Sequence, residues 1–179
     1  MQAGQNKQNQ KNIKNLKDAL KSLTKLVGQI SLKRISKVSK TKKSKNRISK
    51  KSQIDFRKMS KKAIYKKAKI NFGKFYFNDA LPMFKYLLSK KYKTSEVYYY
   101  LGEIWYHRQN YKDAIFYYKK SALLNAKATY MPRLMLHSAL GFSRIGDATN
   151  ASNFYSTLID LYPKSKEATL ARKYLKNKK

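Results

Sequence analysis

The sequence contains no cysteine, and only three prolines and two histidines occur among its 179 residues. Without cysteine the chain can form neither a disulfide nor a thiolate, and the redox compartment stays undetermined. A run of about 18 apolar residues is also missing, which excludes an ordinary membrane-spanning helix. The N-terminus, MQAGQNKQNQ, lacks the apolar core of a secretion signal. We therefore expect any exported form to have lost its signal already.

Acidic residues are scarce as well. The chain has nine Asp and Glu residues against 42 Lys and Arg, which gives a formal net charge of +33. Such an excess of positive charge is typical of proteins that bind nucleic acid or an anionic membrane surface. Lysine here accompanies abundant Asn, Ile and Tyr, a composition that a strongly AT-biased genome produces without selection for polyanion binding. Because this bias does not explain the scarcity of acids, both interpretations of the charge stay open.

Motifs of catalysis and metal binding are missing too. The two histidines, His107 and His137, lie in different segments of the chain, and no pair of acids has the spacing of metal ligands. Neither a glycine-rich phosphate loop nor a nucleophile elbow occurs. We therefore predict a protein that is not an enzyme and has no catalytic residue, no bound metal and no cofactor.

Residues 98–121, YYYLGEIWYHRQNYKDAIFYYKKS, contain the most ordered pattern of the chain. Two stripes with spacings of three and four residues predict two helices, joined by a turn at Gln109 and Asn110. The first stripe is Tyr98, Leu101, Gly102 and Trp105, and the second is Ala114, Tyr118 and Ser121. Because Gly102 and Ala114 are small, the two helix axes can approach closely. Trp105 lies on the packing stripe and is predicted to be a core residue.

This pattern resembles the tetratricopeptide repeat, a helix–turn–helix unit of about 34 residues that recurs along the chain. Ala80 lies one such interval before Ala114, and Ala151 lies a slightly longer interval after it, each within a similar pattern. The resemblance implies an all-α fold, a right-handed solenoid of three tetratricopeptide repeats at 61–94, 95–128 and 132–165. The amphipathic stretch at 166–176 is predicted to be the C-terminal capping helix that such an array needs.

Several positions depart from the repeat pattern. In the second unit these are Ser121 and Ala126, and in the first unit Lys67 lies where Leu is expected and Phe75 where Gly is expected. Pro82 lies in the second helix of the first unit. We expect Asn78 to cap this helix, which would place Pro82 in the first turn, where its missing N–H costs little.

Residues 1–31 have a different periodicity, with apolar positions three and four residues apart over three heptads. This apolar stripe consists of Ile13, Leu16, Leu20, Leu23, Val27 and Ile30. This is the seam of a short coiled coil, and we predict an oligomerisation helix. The mixture of β-branched residues and Leu does not distinguish a dimer from a trimer. The alternative is that this stripe folds back onto the repeats of its own chain.

Residues 32–60 are predicted to be a disordered basic linker. From Ser31 to Ser60 there are twelve basic residues and one acid, Asp55. Self-repulsion and scarce apolar surface leave too little burial to offset the entropy of ordering. No aromatic residue precedes Phe56, which excludes base stacking. Nucleic acid or an anionic surface would therefore bind this segment only through salt-sensitive charge contacts.

The order of coil, linker and three repeats resembles the periplasmic cell-division coordinator family CpoB, also called YbgF. The most similar stretches are YYYLGEIWYHRQNYKDAIFYYKKSALLNAKA and GDATNASNFYSTLIDLYPKSKEATLARKYL. The resemblance implies a periplasmic adaptor whose coil trimerises and whose repeats contact components of the Tol-Pal envelope machinery. Such an adaptor would link envelope constriction at cell division to septal peptidoglycan synthesis by a penicillin-binding protein.

The first helix of each tetratricopeptide repeat lines the concave face, and the resemblance thereby implies a set of peptide-binding residues. They are Lys62, Tyr65, Lys69 and Phe72 in the first unit, Glu96, Tyr99, Glu103, Tyr106 and His107 in the second, and Arg133, Leu136, Leu140 and Arg144 in the third. Tyrosine offers apolar area with a polar tip, and a neighbouring Lys or Arg can hold a carboxylate, which predicts a cradle for an extended or helical peptide. The alternative is that some of these residues pack between helices or are only solvated.

Overall fold

The structure, a computed structural model, describes residues 55–176. This range contains a 3-10 turn at Phe56–Lys58, seven α-helices and no strand. The helices are α1 (Lys61–Gly73), α2 (Phe77–Ser89), α3 (Thr94–His107), α4 (Tyr111–Leu124), α5 (Met131–Arg144), α6 (Ala148–Leu161) and α7 (Lys166–Lys176). In these described residues no helix is both long enough and apolar enough to cross a membrane.

Polar residues determine where several helices begin. The side-chain oxygens of Ser60 and Ser165 accept hydrogen bonds from backbone N–H groups three residues later, at 3.2 and 3.0 Å, before α1 and α7. Asn110 and Asp147 form the same kind of cap before α4 and α6. Each cap satisfies an N–H group that has no partner within its helix, which typically stabilises a helix by about 1 kcal/mol.

The turn inside each helix pair contains one residue with a left-handed backbone. Phe75, Gln109 and Gly146 have φ angles of 60°, 57° and 82°, respectively. Glycine adopts this conformation without steric cost, whereas a residue with a Cβ atom is strained by roughly 1 kcal/mol. The first two units therefore keep the same turn geometry as the third, although they lack its glycine.

The helices pack as consecutive pairs, α1 with α2, α3 with α4, and α5 with α6, and α7 packs against α5 and α6. The buried side chains form two clusters, and α3 contributes to both of them. Val97, Leu101 and Ile104 belong to the cluster with α1 and α2. Tyr99 belongs to the cluster that extends over α4 to α7 and includes the fully buried Ala168. Each pair therefore depends on its neighbour to cover its apolar face.

Small residues lie at the helix crossings. Ala80, Ala114 and Ala151, which occupy α2, α4 and α6, are each 0% exposed. Gly102 of α3 lies so close to α4 that a Cβ atom built on it would be 2.5 Å from Cδ1 of Tyr118. That distance is far inside van der Waals contact, so this crossing accommodates glycine and no larger residue without a shift.

The predicted fold class is confirmed for the described residues, which are all-helical and form packed neighbouring helix pairs of the tetratricopeptide type. The boundaries of the repeats stay a prediction. Trp105 packs against the core, as predicted, with the guanidinium carbon of Arg108 5.4 Å from its ring centroid. Ser121 is buried where the repeat usually has Ala, and its hydroxyl donates a hydrogen bond to the backbone carbonyl of Ser95 at 2.8 Å. The hydroxyl thus adds a bond between α4 and α3.

The prediction for the cap of α2 was wrong. The helix begins at Phe77, and Asn78 lies inside it, where its Oδ1 accepts a hydrogen bond from Nη2 of Arg108 at 2.7 Å. Pro82 consequently lies in the second turn rather than the first. There it leaves the backbone carbonyl of Asn78 without the N–H donor that a regular helix would supply. The side chain expected to cap α2 is instead bonded to the next helix pair.

The predicted coiled coil at 1–31 and residues 32–54 of the predicted linker lie outside the described residues. Both therefore stay predictions. The final residues of the linker span pack on the repeats, because the ring centroid of Phe56 lies 5.9 Å from that of Tyr86 in α2.

Replacing Gly102 by alanine should destabilise the protein. The new methyl group would meet the ring of the buried Tyr118 at 2.5 Å, and overpacking of this kind costs about 1–3 kcal/mol. The measurement is the free energy of unfolding in urea. Gly73→Ala is the matched control, since nothing lies within 4 Å of its added Cβ. Equal stability of the two variants would contradict a close α3–α4 crossing.

Candidate functional site

One concave depression of about 540 Å³, here called the groove, crosses four helices. It is lined by Phe72, Gly73 and Phe75 at the end of α1, Glu103 and His107 from α3, Arg133, Leu136 and His137 from α5, and Lys166, Glu167 and Leu170 from α7. The first helix of every pair and the terminal helix thus contribute to a single surface. A chain segment lying in it would contact all three helix pairs.

Aromatic rings form one end of the groove. The ring centroid of His107 lies 5.6 Å from that of Phe75, 6.2 Å from that of Phe72 and 5.5 Å from that of Phe77. Phe75 is 66% exposed. An aromatic side chain that is both exposed and held by neighbouring rings offers a pre-ordered apolar contact to a partner.

A buried carboxylate lies under the middle of the groove. Glu103 is 3% exposed, and its Oε1 accepts a hydrogen bond from the hydroxyl of Tyr118 at 2.5 Å. The same oxygen lies 2.8 Å from Nδ1 of His137, whose ring is stacked on that of Tyr106 with centroids 4.2 Å apart. When Glu103 is ionised it can only accept, so Nδ1 then carries the proton. This arrangement joins α3, α4 and α5 beneath the groove.

The other end of the groove combines charge with an apolar side chain. Arg133 and Lys166 are exposed cations, Glu167 is half-buried, and Leu170 is 43% exposed. Interaction with Tyr99 raises the pKa of Arg133 above its ordinary value, and Glu103 and Glu167 raise it further. Because Arg133 is exposed, its charged guanidinium can meet a carboxylate of a partner.

The residues predicted from the sequence fall into separate groups. The groove brings together Phe72, Glu103, His107, Arg133 and Leu136. Lys62, Tyr65 and Lys69 line a different depression, while Tyr99 and Arg133 line a third, of about 250 Å³, next to Tyr130. Tyr106 and Arg144 do not line the groove. Their role in binding, like that of the whole predicted set, stays a prediction.

Several predicted residues are less accessible than a contact role requires. Tyr65, Tyr99, Glu103 and Leu136 are buried, with exposed fractions of 3–8%, and pack mainly within the protein. Glu96 is also engaged, because it accepts a hydrogen bond from the hydroxyl of Tyr65 and pairs with Lys93 at 3.3 Å. These residues lie on the first helix of each pair, as predicted. The sequence pattern did not distinguish which of them are buried beneath the surface and which are exposed on it.

The sequence-based set omitted Phe75, His137, Lys166 and Leu170. In the sequence Phe75 is only a departure from the repeat pattern. Leu170 and Lys166 belong to the terminal helix, which the sequence predicts only as a cap. A usable signal was present in that helix, since Ala168 and Ala171 define its buried side and Leu170 lies off that side.

Within residues 55–176 no three side chains of His, Cys, Asp or Glu come together as a metal-binding cluster. The groove presents apolar, aromatic and charged side chains that another molecule can contact.

Residues 95–128 match the family model of the tetratricopeptide repeat. This range covers α3 and α4, of which α3 contributes Glu103 and His107 to the groove. No curated protein sequence matches the chain. The match and the helical repeat structure together support a tetratricopeptide-repeat protein, a fold that is typical of non-enzymatic interaction scaffolds.

Removing the buried carboxylate should destabilise the protein. Glu103→Ala leaves the buried hydroxyl of Tyr118 and the ring of His137 without their shared acceptor, at a cost of about 2 kcal/mol. Glu103→Gln is the matched control, since its amide oxygen can still accept one bond and it should lose about half as much. The free energy of unfolding in urea measures both. Wild-type stability in Glu103→Ala would show that this arrangement contributes nothing.

Alkaline pH should also weaken the fold. Burial raises the pKa of several tyrosines, namely Tyr65, Tyr99, Tyr106, Tyr118, Tyr155 and Tyr162. For Tyr106 the pKa rises to about 12. In the unfolded chain these phenols ionise near pH 10. Their contribution to the free energy of unfolding is therefore complete below about pH 10 and is lost as the pH rises towards 12.

The predicted loss of stability at alkaline pH is tested by measuring the midpoint of urea unfolding from about pH 8 to 11.5, together with tyrosinate absorbance. We expect the midpoint to fall above about pH 10 before the buried phenols ionise in the folded protein. The Tyr106→Phe variant should show a smaller fall, because it removes one titrating group. A midpoint that is constant over this range would contradict the raised pKa values.

Proposed function

We propose that the chain is an adaptor that holds a segment of another protein in the groove. The observation that supports this most directly is the groove itself, which is lined by four helices from three successive pairs and the terminal helix. The match to the tetratricopeptide repeat supports a role in protein–protein interaction. Both point to binding rather than to catalysis.

The dimensions of the groove favour a segment over a folded domain. A volume of about 540 Å³ accommodates a few side chains. Exposed Phe75 and Leu170 offer apolar contacts, while Arg133 and Lys166 offer charge contacts beside them. An extended or helical segment with apolar residues at intervals and at least one carboxylate matches this distribution.

The finer proposal concerns the cell envelope. The resemblance of residues 61–179 and of the preceding coil to the CpoB family supports a periplasmic adaptor for a Tol-Pal component or a penicillin-binding protein. In this proposal residues 1–31 join several copies, so that one assembly presents several grooves. Linked sites of this kind raise the overall affinity without new contacts in any one groove.

The rival is a polyanion-binding protein that acts through the basic residues of 32–60. The observation that favours it is the net charge of +33. Contacts made by lysine and arginine to a phosphate backbone weaken steeply as salt is raised. A partner held mainly by apolar contacts in the groove should remain bound under the same conditions.

Photo-crosslinking in the cells that produce the protein tests the adaptor role. The photoreactive amino acid benzoylphenylalanine is placed at Leu170 in the groove and, as the control, at Leu123 of α4, which is 59% exposed and does not line the groove. Adducts that form from position 170 only, and that mass spectrometry identifies as Tol-Pal or penicillin-binding proteins, are the expected result.

Adducts with other proteins only would refute the envelope role and retain the adaptor. If position 170 gives no protein adduct, and the chain is instead retained on DNA until high salt, the rival is favoured.

The left-handed turn residues allow a sharper test of the groove. Gln109→Gly relieves the strain at φ 57° and should stabilise the protein by about 1 kcal/mol without changing adduct formation at position 170. Phe75→Gly relieves the same strain but removes an exposed groove ring, so it should keep or raise stability while reducing adducts. Urea unfolding and adduct yield measure the two effects. Undiminished adducts in Phe75→Gly would contradict the assigned contact.

A further inference from the structure

A second depression, here called the lysine pocket, lies beside the first helix and has no lining residue in common with the groove. Its volume is about 550 Å³. The lining residues are Lys62, Tyr65, Lys66, Lys69 and Ile70 of α1, with Tyr92 and Lys93 of the α2–α3 connection. Four of these seven side chains are cationic.

Tyrosine rings hold two of the lysines in place. The ammonium nitrogen of Lys93 lies 5.1 Å from the ring centroid of Tyr65, and that of Lys69 lies 5.7 Å from the same centroid. Lys69 also lies 5.9 Å from the ring centroid of Tyr100. Cation–π contacts of this kind orient an ammonium group without neutralising its charge. The two lysines are therefore positioned in advance for an anion.

The backbone at this pocket is strained as well. Lys91 and Lys93 have φ angles of 51° and 44°, a conformation that favours glycine. In this conformation the ammonium nitrogen of Lys93 lies 3.3 Å from Oε1 of Glu96. The other carboxylate oxygen of Glu96 accepts a hydrogen bond from the hydroxyl of Tyr65. The connection thus directs Lys93 towards the pocket at some cost in backbone energy.

One acid near the pocket does not balance its charge. Glu96 faces Lys93 and Tyr65, and within residues 55–176 no carboxylate forms an ion pair with Lys62, Lys66 or Lys69. Ile70 is 48% exposed at the same site. The surface therefore combines an excess of positive charge with one apolar contact.

We propose that the lysine pocket binds an acidic segment of a partner protein, in which Asp and Glu side chains flank one apolar residue that packs against Ile70. The charge of the pocket matches such a segment, and its size accommodates a few side chains. The proposal does not depend on the groove, because the two surfaces share no lining residue.

A second copy of the chain cannot supply this segment. No two of its nine acidic residues lie within six positions of each other, so the chain contains no acidic run. Nucleic acid is the poorer match, because stacked bases need an exposed aromatic face, whereas Tyr65 is 8% exposed and Tyr92 is partly buried against the core. The exposed Ile70 also suits a segment that carries an apolar side chain better than a phosphate backbone.

Fluorescence anisotropy with the full chain tests this proposal. The probe is a fluorescein-labelled peptide of twelve residues in which Glu and Asp surround one central leucine, measured at about 150 mM salt. The pocket variant is Lys62→Gln, Lys66→Gln and Lys69→Gln together. The matched control is Lys85→Gln, Lys112→Gln and Lys164→Gln, which removes the same charge from exposed lysines outside the pocket.

We expect the pocket variant to bind the peptide about tenfold more weakly, because each exposed pair contributes roughly two- to threefold in affinity. The control variant should change the affinity by less than about twofold. Replacing the three pocket lysines by arginine should restore binding, which separates lost charge from a folding defect. Ile70→Gln should weaken binding of this peptide but not of one with serine in place of leucine.

Equal weakening in the pocket and control variants would overturn the proposal, since only the overall charge would then matter. Stronger binding of a single-stranded oligothymidylate of twelve nucleotides, lost in the same pocket variant, would also overturn it in favour of nucleic acid. Leu170→Gln in the groove should leave peptide binding unchanged. The groove and the pocket can therefore fail independently.

Discussion

The contact between Tyr118 and Gly102 links the core of this protein to its surface. The ring of Tyr118 fits against α3 because position 102 has no Cβ atom, and that close approach brings its hydroxyl within 2.5 Å of the buried carboxylate of Glu103. Glu103 in turn lies 2.8 Å from Nδ1 of His137. One glycine thus permits a chain of contacts across α4, α3 and α5. A wider crossing would separate the hydroxyl from the carboxylate and remove the support beneath the groove.

The consequence of this packing is a rigid frame with two distinct surfaces. α3 belongs to both core clusters, so the first helix pair is joined to the second by shared burial rather than by a flexible hinge. The groove combines apolar rings with charge at its far end, whereas the lysine pocket is dominated by cations. Tyr100 contacts a residue of each, since its ring centroid lies 5.2 Å from that of Phe72 and 5.9 Å from the ammonium nitrogen of Lys69. An adaptor with two such surfaces can contact two different segments of its partners.

The sequence predicted the helix pairs because their signal is periodic and local. Small residues recur at one interval, and Ala80, Ala114 and Ala151 are all buried. The binding surface was harder to predict, because it depends on side-chain directions between helices that are distant in sequence. The repeat pattern predicts Tyr65 on the same surface as Phe72, yet the two line different depressions. The cap of α2 was missed for a similar reason, since the hydrogen bond of Asn78 to Arg108 depends on tertiary packing and not on local preference.

The central claim is that small residues lie buried at the crossing of each helix pair. The absence of cysteine allows a direct test, because a single introduced thiol is the only reactive one. Ala114→Cys and Ala151→Cys are compared with Leu123→Cys, and the measurement is the rate of labelling by a thiol reagent under native conditions. The account predicts that positions 114 and 151 react about a thousandfold or more slowly than position 123, because they become accessible only when the core opens. Labelling of position 114 or 151 at the rate of position 123 would contradict it.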